Sequence, residues 1–270
     1  MMAYSISHKS ITLKNIFPTV DFVVAFNDVR LSEYAVGQLC LDSRQIQTGD
    51  TFVALVGEQS DARHFIDSAV EQGAALVLCE TTEVDFSLSY CGQVPVLSVP
   101  NLDARLSEIA GVCFNQPAQH MNMVGVTGTN GKTTCSHWLA QLLVLLGQSS
   151  ATIGTLGFGL QGKVLTETGM TTPDAIATQE ILSRLHDEGA QNVVAEVSSH
   201  SLVLHRVSGV PFKVALVTNI GRDHLDFHGS IEEYVAAKKA LVTFESLEHV
   251  VLNFDDDFYH EFKTAAKTKQ

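Results

Sequence analysis

At 270 residues, with 45% hydrophobic and 17% charged side chains, the chain has an ordinary globular composition and the length of about two domains. Its formal net charge of −13 argues against non-specific attachment to nucleic acid or an anionic membrane, because both need a positive field. The five cysteines (Cys40, Cys79, Cys91, Cys113, Cys135) form no C-x-x-C pair, and no segment has signal-peptide or membrane-spanning character, so the reading is a soluble cytosolic protein with reduced thiols.

The first hundred residues read as a small α/β unit. Apolar, β-branched runs at 51–56, 74–79 and 94–99 are bounded by Gly, Pro or polar clusters, which favours strands. Between the first two, residues 61–72 carry Phe65, Ile66, Ala69 and Val70 at helical spacing, with Gly73 as the stop. Two polar loops interrupt this pattern, one through Asp42-Ser43-Arg44 and one through Gln59-Ser60-Asp61, and on their residues alone they read as solvated turns. Residues 100–117 hold a helix with Leu102, Leu106, Ile109 and Ala110 on one face. This is the expected domain link, giving domains over 1–102 and 103–270.

The second unit opens on M-N-M-V-G-V-T-G-T-N-G-K-T-T, residues 121–134. An apolar strand breaks into Gly128-Thr129-Asn130-Gly131-Lys132-Thr133-Thr134 and then into a helix, the build of a phosphate-binding loop. Glycines let backbone N–H groups face a polyphosphate, Lys132 supplies a point charge, the Thr133 hydroxyl can hold Mg²⁺, and the helix N-terminus adds its dipole. The common G-x-x-x-x-G-K-[ST] pattern would want glycine where Val126 stands, so the match is to a variant. In the helix that follows, Trp138, Leu139, Leu142, Leu143 and Leu146 are expected to face inward, with a stop at Gly147.

Further apolar runs at 193–197, 214–218 and 249–253 are separated by enough chain for crossovers, which predicts a mainly parallel, doubly wound sheet. Each run ends in polar residues: Glu196 and Ser198, then Thr218 and Asn219, then Asn253, Asp255 and Asp256. Thr127 and Thr129 end the first strand in the same way. In an open α/β sheet those ends share the edge where ligands bind. Glu196 is therefore a candidate magnesium ligand, although a loop-capping role fits the same position. Of the nearby histidines, His224 in G-R-D-H-L-D-F-H-G directly follows a strand end and could reach that edge.

Ser230-Ile231-Glu232-Glu233 forms a capping box, so a helix should start there. On that helix Lys238 falls in the middle of the stripe formed by Ile231, Tyr234, Val235, Leu241 and Val242, while Lys239 lies to one side. Burial would lower the Lys238 pKa and leave it nucleophilic toward CO₂; on spacing alone it also reads as a snorkelling lysine.

Taken together, L-D-S-R, G-D-T-F-V-A-L-V-G, G-V-T-G-T-N-G-K-T-T, T-T-P-D, E-V-S-S-H, T-N-I-G-R-D-H-L-D-F-H-G, A-A-K and N-F-D-D resemble the Mur ligases over residues 41 to 256. The family's T-G-T-N-G-K-T loop accounts for Val126. The resemblance implies a small N-terminal α/β domain followed by an incomplete P-loop ATPase domain, with a C-terminal acceptor-binding domain lying outside this chain. It implies an ATP-dependent amide ligase of peptidoglycan precursor synthesis that phosphorylates the D-Glu carboxylate of UDP-MurNAc-L-Ala-D-Glu and lets an amino-acid acceptor attack the acyl phosphate. ATP would be held by Gly128 to Thr134, with Asn253 and Asp256 near adenine. Mg²⁺ would be held by Thr133, Glu196, His224 and a carbamylated Lys238, and Lys132, Lys238, Glu196 and His224 would be the catalytic set. Ser43, Gln59, Ser60 and Asp61 would hold the uridine nucleotide, so those loops cease to read as plain turns. Asn130, Thr171, Thr172, Ser198 and Arg206 would contact the muramoyl dipeptide. The expected form is a cytoplasmic monomer with no nucleic-acid or membrane partner. A binding fragment without catalysis, or another amide ligase of the superfamily, stands as the alternative.

Overall fold

The computed structural model describes residues 10–26, 29–57 and 60–266. The chain divides into two compact units, residues 1–105 and 106–270.

In the first unit two short helices, α1 (Leu13–Ile16) and α2 (Phe22–Phe26), precede a five-stranded sheet. Its strands are β1 (Leu39–Cys40), β2 (Thr51–Ala54), β3 (Leu76–Thr81), β4 (Ser87–Cys91) and β5 (Val94–Pro100), in the order β1-β2-β3-β5-β4. All neighbours are parallel except the β4–β5 pair. Every residue of β2 is buried. Alternation then sends Phe52 and Ala54 into a core with Val77, Val96 and Ala69 of helix α3 (Ile66–Gln72). The single helix expected over 61–72 is two pieces, a 3₁₀ turn at Ala62–Phe65 capped by Asp61 and then α3. The split has a local cause: the Asp61 carboxylate accepts from the Arg63 backbone N–H at 3.0 Å and tightens the first turn. Helix α4 (Leu102–Cys113) carries the chain across the division between the units.

The second unit is built on a six-stranded sheet: β6 (Asn122–Thr127), β7 (Ser150–Gly154), β8 (Gly157–Leu160), β9 (Asn192–Glu196), β10 (Phe212–Val217) and β11 (His249–Leu252). Their order is β11-β10-β6-β9-β7-β8, parallel throughout except for β8 against β7. The helices are α5 (Lys132–Leu145), α6 (Ala175–Asp187), α7 (Ser199–Val203), α8 (Leu225–His228), α9 (Ile231–Lys239) and α10 (Tyr259–Ala265). Strand β6 is central, so the loop that leaves it lies between the ends of β9 and β10. On one sheet face Met123, Ala151, Ile153, Val193 and Phe212 pack with α6, and on the other Val124, Val126 and Val194 meet α5.

The buried face of α5 differs from expectation. Leu139 and Leu143 do turn to the sheet, but beside Ala140 and Cys135, whereas Trp138, Leu142 and Leu146 are exposed. The helix is apolar on nearly every side, so its sequence offers two stripes. The chosen one carries the small residues Ser136 and Ala140, at 1% and 0% exposure, which let the helix sit close to the strands.

Candidate functional site

The first-unit candidates follow parallel strands of its sheet. Ser43 is buried in a 3₁₀ turn after β1, capped by Asp42. Ser60 and Asp61 lie in the loop after β2, where the Ser60 carbonyl accepts from Gly57 N–H at 3.1 Å. Asp61 is tied to Arg63 through both carboxylate oxygens, and this hydrogen bonding holds its pKa at about 2. Gln59 lies outside the described residues.

The remaining candidates belong to the second unit, where the loop after β6 is closed by main-chain geometry. Gly128 has φ +148°, and a Cβ there would overlap Thr218 Oγ1, so the turn and its close approach to the β10 end both require glycine. Asn219 clamps the next residues: its carbonyl accepts from Thr129 N–H at 2.8 Å, its Oδ1 accepts from Asn130 N–H at 3.0 Å, and its Nδ2 donates to the Asn130 carbonyl at 2.9 Å. The Thr129 hydroxyl accepts from Gly221 N–H at 2.8 Å and lies 2.9 Å from the Tyr234 hydroxyl. Thr134 is exposed on the first turn of α5.

Two lysines converge on this loop. Lys132 Nζ donates to the Gly128 and Thr129 carbonyls at 2.9 and 3.1 Å, and Lys238 Nζ donates to the same Gly128 carbonyl at 2.8 Å. Lys238 is 2% exposed and lies 4.7 Å above the Tyr234 ring. Burial, reinforced by the Lys132 charge and opposed by Asp223, brings its pKa down to about 7. Burial also lowers the pKa of Lys132, against the pull of Glu196 and Asp223. Lys239 instead pairs with Glu261 at 3.1 Å, at the surface. Helix α9 starts as expected, with the Ser230 hydroxyl accepting from Glu233 N–H at 3.1 Å.

Glu196, at the end of β9, is 1% exposed. Its Oε2 accepts from Thr133 Oγ1 at 3.0 Å and Thr155 Oγ1 at 3.1 Å, and its Oε1 accepts from Thr155 N–H at 3.1 Å. Thr155 had no signal in the sequence: it follows β7, a strand in a glycine-rich stretch that the apolar runs did not mark, and only the β7–β9 pairing brings it to the Glu196 carboxylate. Beyond it, Thr171 Oγ1 lies 3.2 Å from Thr155 Oγ1. Thr172 Oγ1 donates to the Glu196 carbonyl at 2.8 Å and accepts from Ser198 N–H, while Arg206 donates to the Thr172 carbonyl at 3.0 Å. Ser198 caps α7 through Ser201 N–H.

Contacts thus join Lys132, Thr133, Glu196, Lys238 and the loop Thr171–Thr172 into one constellation. His224 is set apart by its own contacts, 3.5 Å from Asp223 and edge-on to His200 at a ring separation of 4.7 Å. The Asp223 charge opposes the lowering of both lysine pKa values. Asn253 and Asp256 brace the loops: Asp256 Oδ2 accepts from Ile220 N–H at 2.7 Å, next to the Gly221 that holds Thr129, and Asn253 Oδ1 accepts from Asp255 N–H at 3.1 Å. Among the described residues no three His, Cys, Asp or Glu side chains converge as a metal centre. The donor set of one buried carboxylate and one hydroxyl is all oxygen, the chemistry that suits a magnesium ion.

Comparison with known proteins bears on the family and the fold. The Mur ligase middle domain matches residues 126–270 and the Mur ligase family catalytic domain residues 36–112. The UDP-N-acetylmuramoyl-L-alanyl-D-glutamate–2,6-diaminopimelate ligase of Chromobacterium violaceum is 47% identical over 229 residues, which cover 85% of this chain and 46% of the relative. The ligase of the same name from Pseudomonas putida is 46% identical over 223 residues, 83% of this chain and 44% of that one. A solved structure of a ligase of that name superimposes with TM-score 0.80 at 30% identity, covering 96% of this chain and 50% of the other. MurF from Acinetobacter baumannii shares the fold at TM-score 0.64 and 22% identity, over 97% of this chain and 52% of that one. The chain spans about half the length of the curated relatives it matches. With the middle-domain match alone covering more than half of its residues, the chain belongs to the Mur ligase family.

Proposed function

We propose that this chain carries the ATP site and the UDP-sugar-peptide site of a ligase that joins meso-diaminopimelate to UDP-MurNAc-L-Ala-D-Glu, with ligation performed by the whole protein. The observation that carries the reading is the Glu196 carboxylate 3.0 Å from the Thr133 hydroxyl, on a loop where Lys132 and Lys238 meet. ATP is the co-substrate, bound by Gly128 to Thr134, with Asn253 and Asp256 on the adenine side. Lys132 offsets the charge that develops on the transferring phosphoryl group. Thr133, Glu196, His224 and a carbamylated Lys238 would hold Mg²⁺, which when bound neutralises charge on the phosphates. With a pKa of about 7, the Lys238 amine is partly neutral at physiological pH. It can attack CO₂, form an N–C bond and release a proton, giving a carbamate anion.

Asn130, Thr171, Thr172, Ser198 and Arg206 would present the D-Glu carboxylate to ATP, and Ser43, Gln59, Ser60 and Asp61 would hold the uridine nucleotide. The names of the relatives support diaminopimelate as the acceptor. Among the described residues no helix is long and apolar enough to cross a membrane. The proposed setting is a cytoplasmic monomer without nucleic-acid or membrane partners. Calorimetry on the 270-residue chain tests the reading, with heat expected from ATP plus MgCl₂ and, separately, from UDP-MurNAc-L-Ala-D-Glu. Folded protein giving no heat with ATP would overturn the phosphate-loop assignment. Heat with ATP alone would remove the sugar-peptide site.

A further inference from the structure

The Glu196 carboxylate is seated with unusual completeness. Gly154 ends β7 directly beside it, and a Cβ at that position would overlap Glu196 Oε1 and stand 2.6 Å from Cδ, so the side chain lies against bare backbone. The next residue, Thr155, supplies two of the three donors described above, its N–H to Oε1 and its hydroxyl to Oε2, both at 3.1 Å. All three donors are neutral groups, two hydroxyls and a backbone N–H, so none of them forms an ion pair with the carboxylate.

With two hydroxyls on Oε2, a cation can be accepted there only if one of them turns away. Thr133 is the one with a reason to turn, being itself a candidate metal ligand. Thr155 is anchored by its N–H on the other oxygen, and its hydroxyl lies 3.2 Å from Thr171 Oγ1. A hydroxyl has one proton, so when Thr171 donates to Thr155, the Thr155 proton is committed to Glu196.

We propose that Thr155 is a positioning residue: its hydroxyl fixes the Glu196 carboxylate in the orientation that receives a magnesium–nucleotide complex. The proposal rests on the ATP reading above and adds to it a residue outside the expected ligand set. The backbone N–H survives any side-chain change except proline, so side-chain variants isolate the hydroxyl.

The test is nucleotide affinity, not turnover. A fluorescent N-methylanthraniloyl-ATP is titrated into the 270-residue chain with and without MgCl₂ for wild type, Thr155→Val and Thr155→Ser, each checked for folding by its thermal melt. Thr155→Val keeps the shape and removes the donor. It is expected to lose about tenfold of the magnesium-dependent gain in affinity, with magnesium-free affinity within about twofold of wild type. Thr155→Ser restores the hydroxyl and is expected to restore the gain. A Val variant with the wild-type gain overturns the proposal, as does a Ser variant that loses as much as Val, because packing of the methyl group would then be the cause. A wild-type chain with no nucleotide binding overturns the ATP reading and this proposal with it, whereas a wild-type gain that Val leaves intact overturns this proposal alone. Should the Val variant not fold, Thr155→Ala is read in its place by the same outcomes.

Discussion

Lys238→Met should stabilise the protein, by an amount that depends on pH. The amine is 2% exposed, and burial together with Lys132 brings its pKa from 10.5 down to about 7. Because the folded-state pKa is the lower one, the unfolded chain binds more protons between the two values. Stability contributed by this group therefore rises with pH across the window from about 7 to 10.5, and its cost is fully present below pH 7. At ~1.4 kcal/mol per pH unit the cost is about 5 kcal/mol near pH 6 and about 2 kcal/mol near pH 9. Methionine keeps most of the stem and never ionises. It gives up the hydrogen bond to the Gly128 carbonyl, worth about 1 kcal/mol, and that oxygen still accepts from Lys132 at 2.9 Å. The expected net gain is about 4 kcal/mol near pH 6, falling to about 1 kcal/mol near pH 9. Urea denaturation of both proteins at the two pH values, in degassed bicarbonate-free buffer so that the amine stays free, measures it. A stability difference that is the same at both pH values within about 0.5 kcal/mol would refute the burial argument.

Two other outcomes follow from local structure. Ser230→Ala removes the only side-chain acceptor described for the α9 N-terminus, at 3.1 Å from Glu233 N–H, and should cost about 1 kcal/mol in a thermal or urea melt. On α5 the two faces should respond differently to the same assay. Leu145→Glu, at a position 82% exposed, should change stability by no more than about 0.5 kcal/mol. Ala140→Leu, at 0% exposure against the sheet, should cost about 1 to 3 kcal/mol.

What could be read in the chain follows the physics of each signal. The central strands were legible because strands covered on both faces become unbroken apolar runs, and β6, β9 and β10 lie where such runs occur. Strands β7 and β8 were not legible: Gly154, Gly157 and Gly159 fall within eleven residues, and glycine is depleted in strands. Those strands exist because the β9 edge gives β7 a partner and room only for glycine beside Glu196. Helical phase put Lys238 in the middle of the apolar stripe, since Ser230 fixed where the helix begins, but spacing alone also allowed a snorkelling lysine, and only the packing around it, which leaves it 2% exposed, decides for burial. The same phase argument failed on α5, where apolar residues ring the axis and the angle carries no preference. There the decision passed to side-chain size, a property of the fit between helix and sheet.

The site divides along the same line. Residues that end a parallel strand (Glu196, Thr218, Asn219) are delivered to one edge by topology, so their positions could be inferred before any contact was known. The groups that aim them come from elsewhere in the chain: Thr155 and Thr172 on Glu196, Tyr234 and Gly221 on Thr129, and Asp256 on Ile220. Each of these contacts spans 24 to 105 residues of sequence. No local pattern encodes such a pairing, because a threonine that donates to a carboxylate and one that faces water look the same in a sequence. For Thr155 the distinction lies in the glycine before it and the carboxylate across from it. Those two constraints make its hydroxyl the place to separate the aim of the site from its charge.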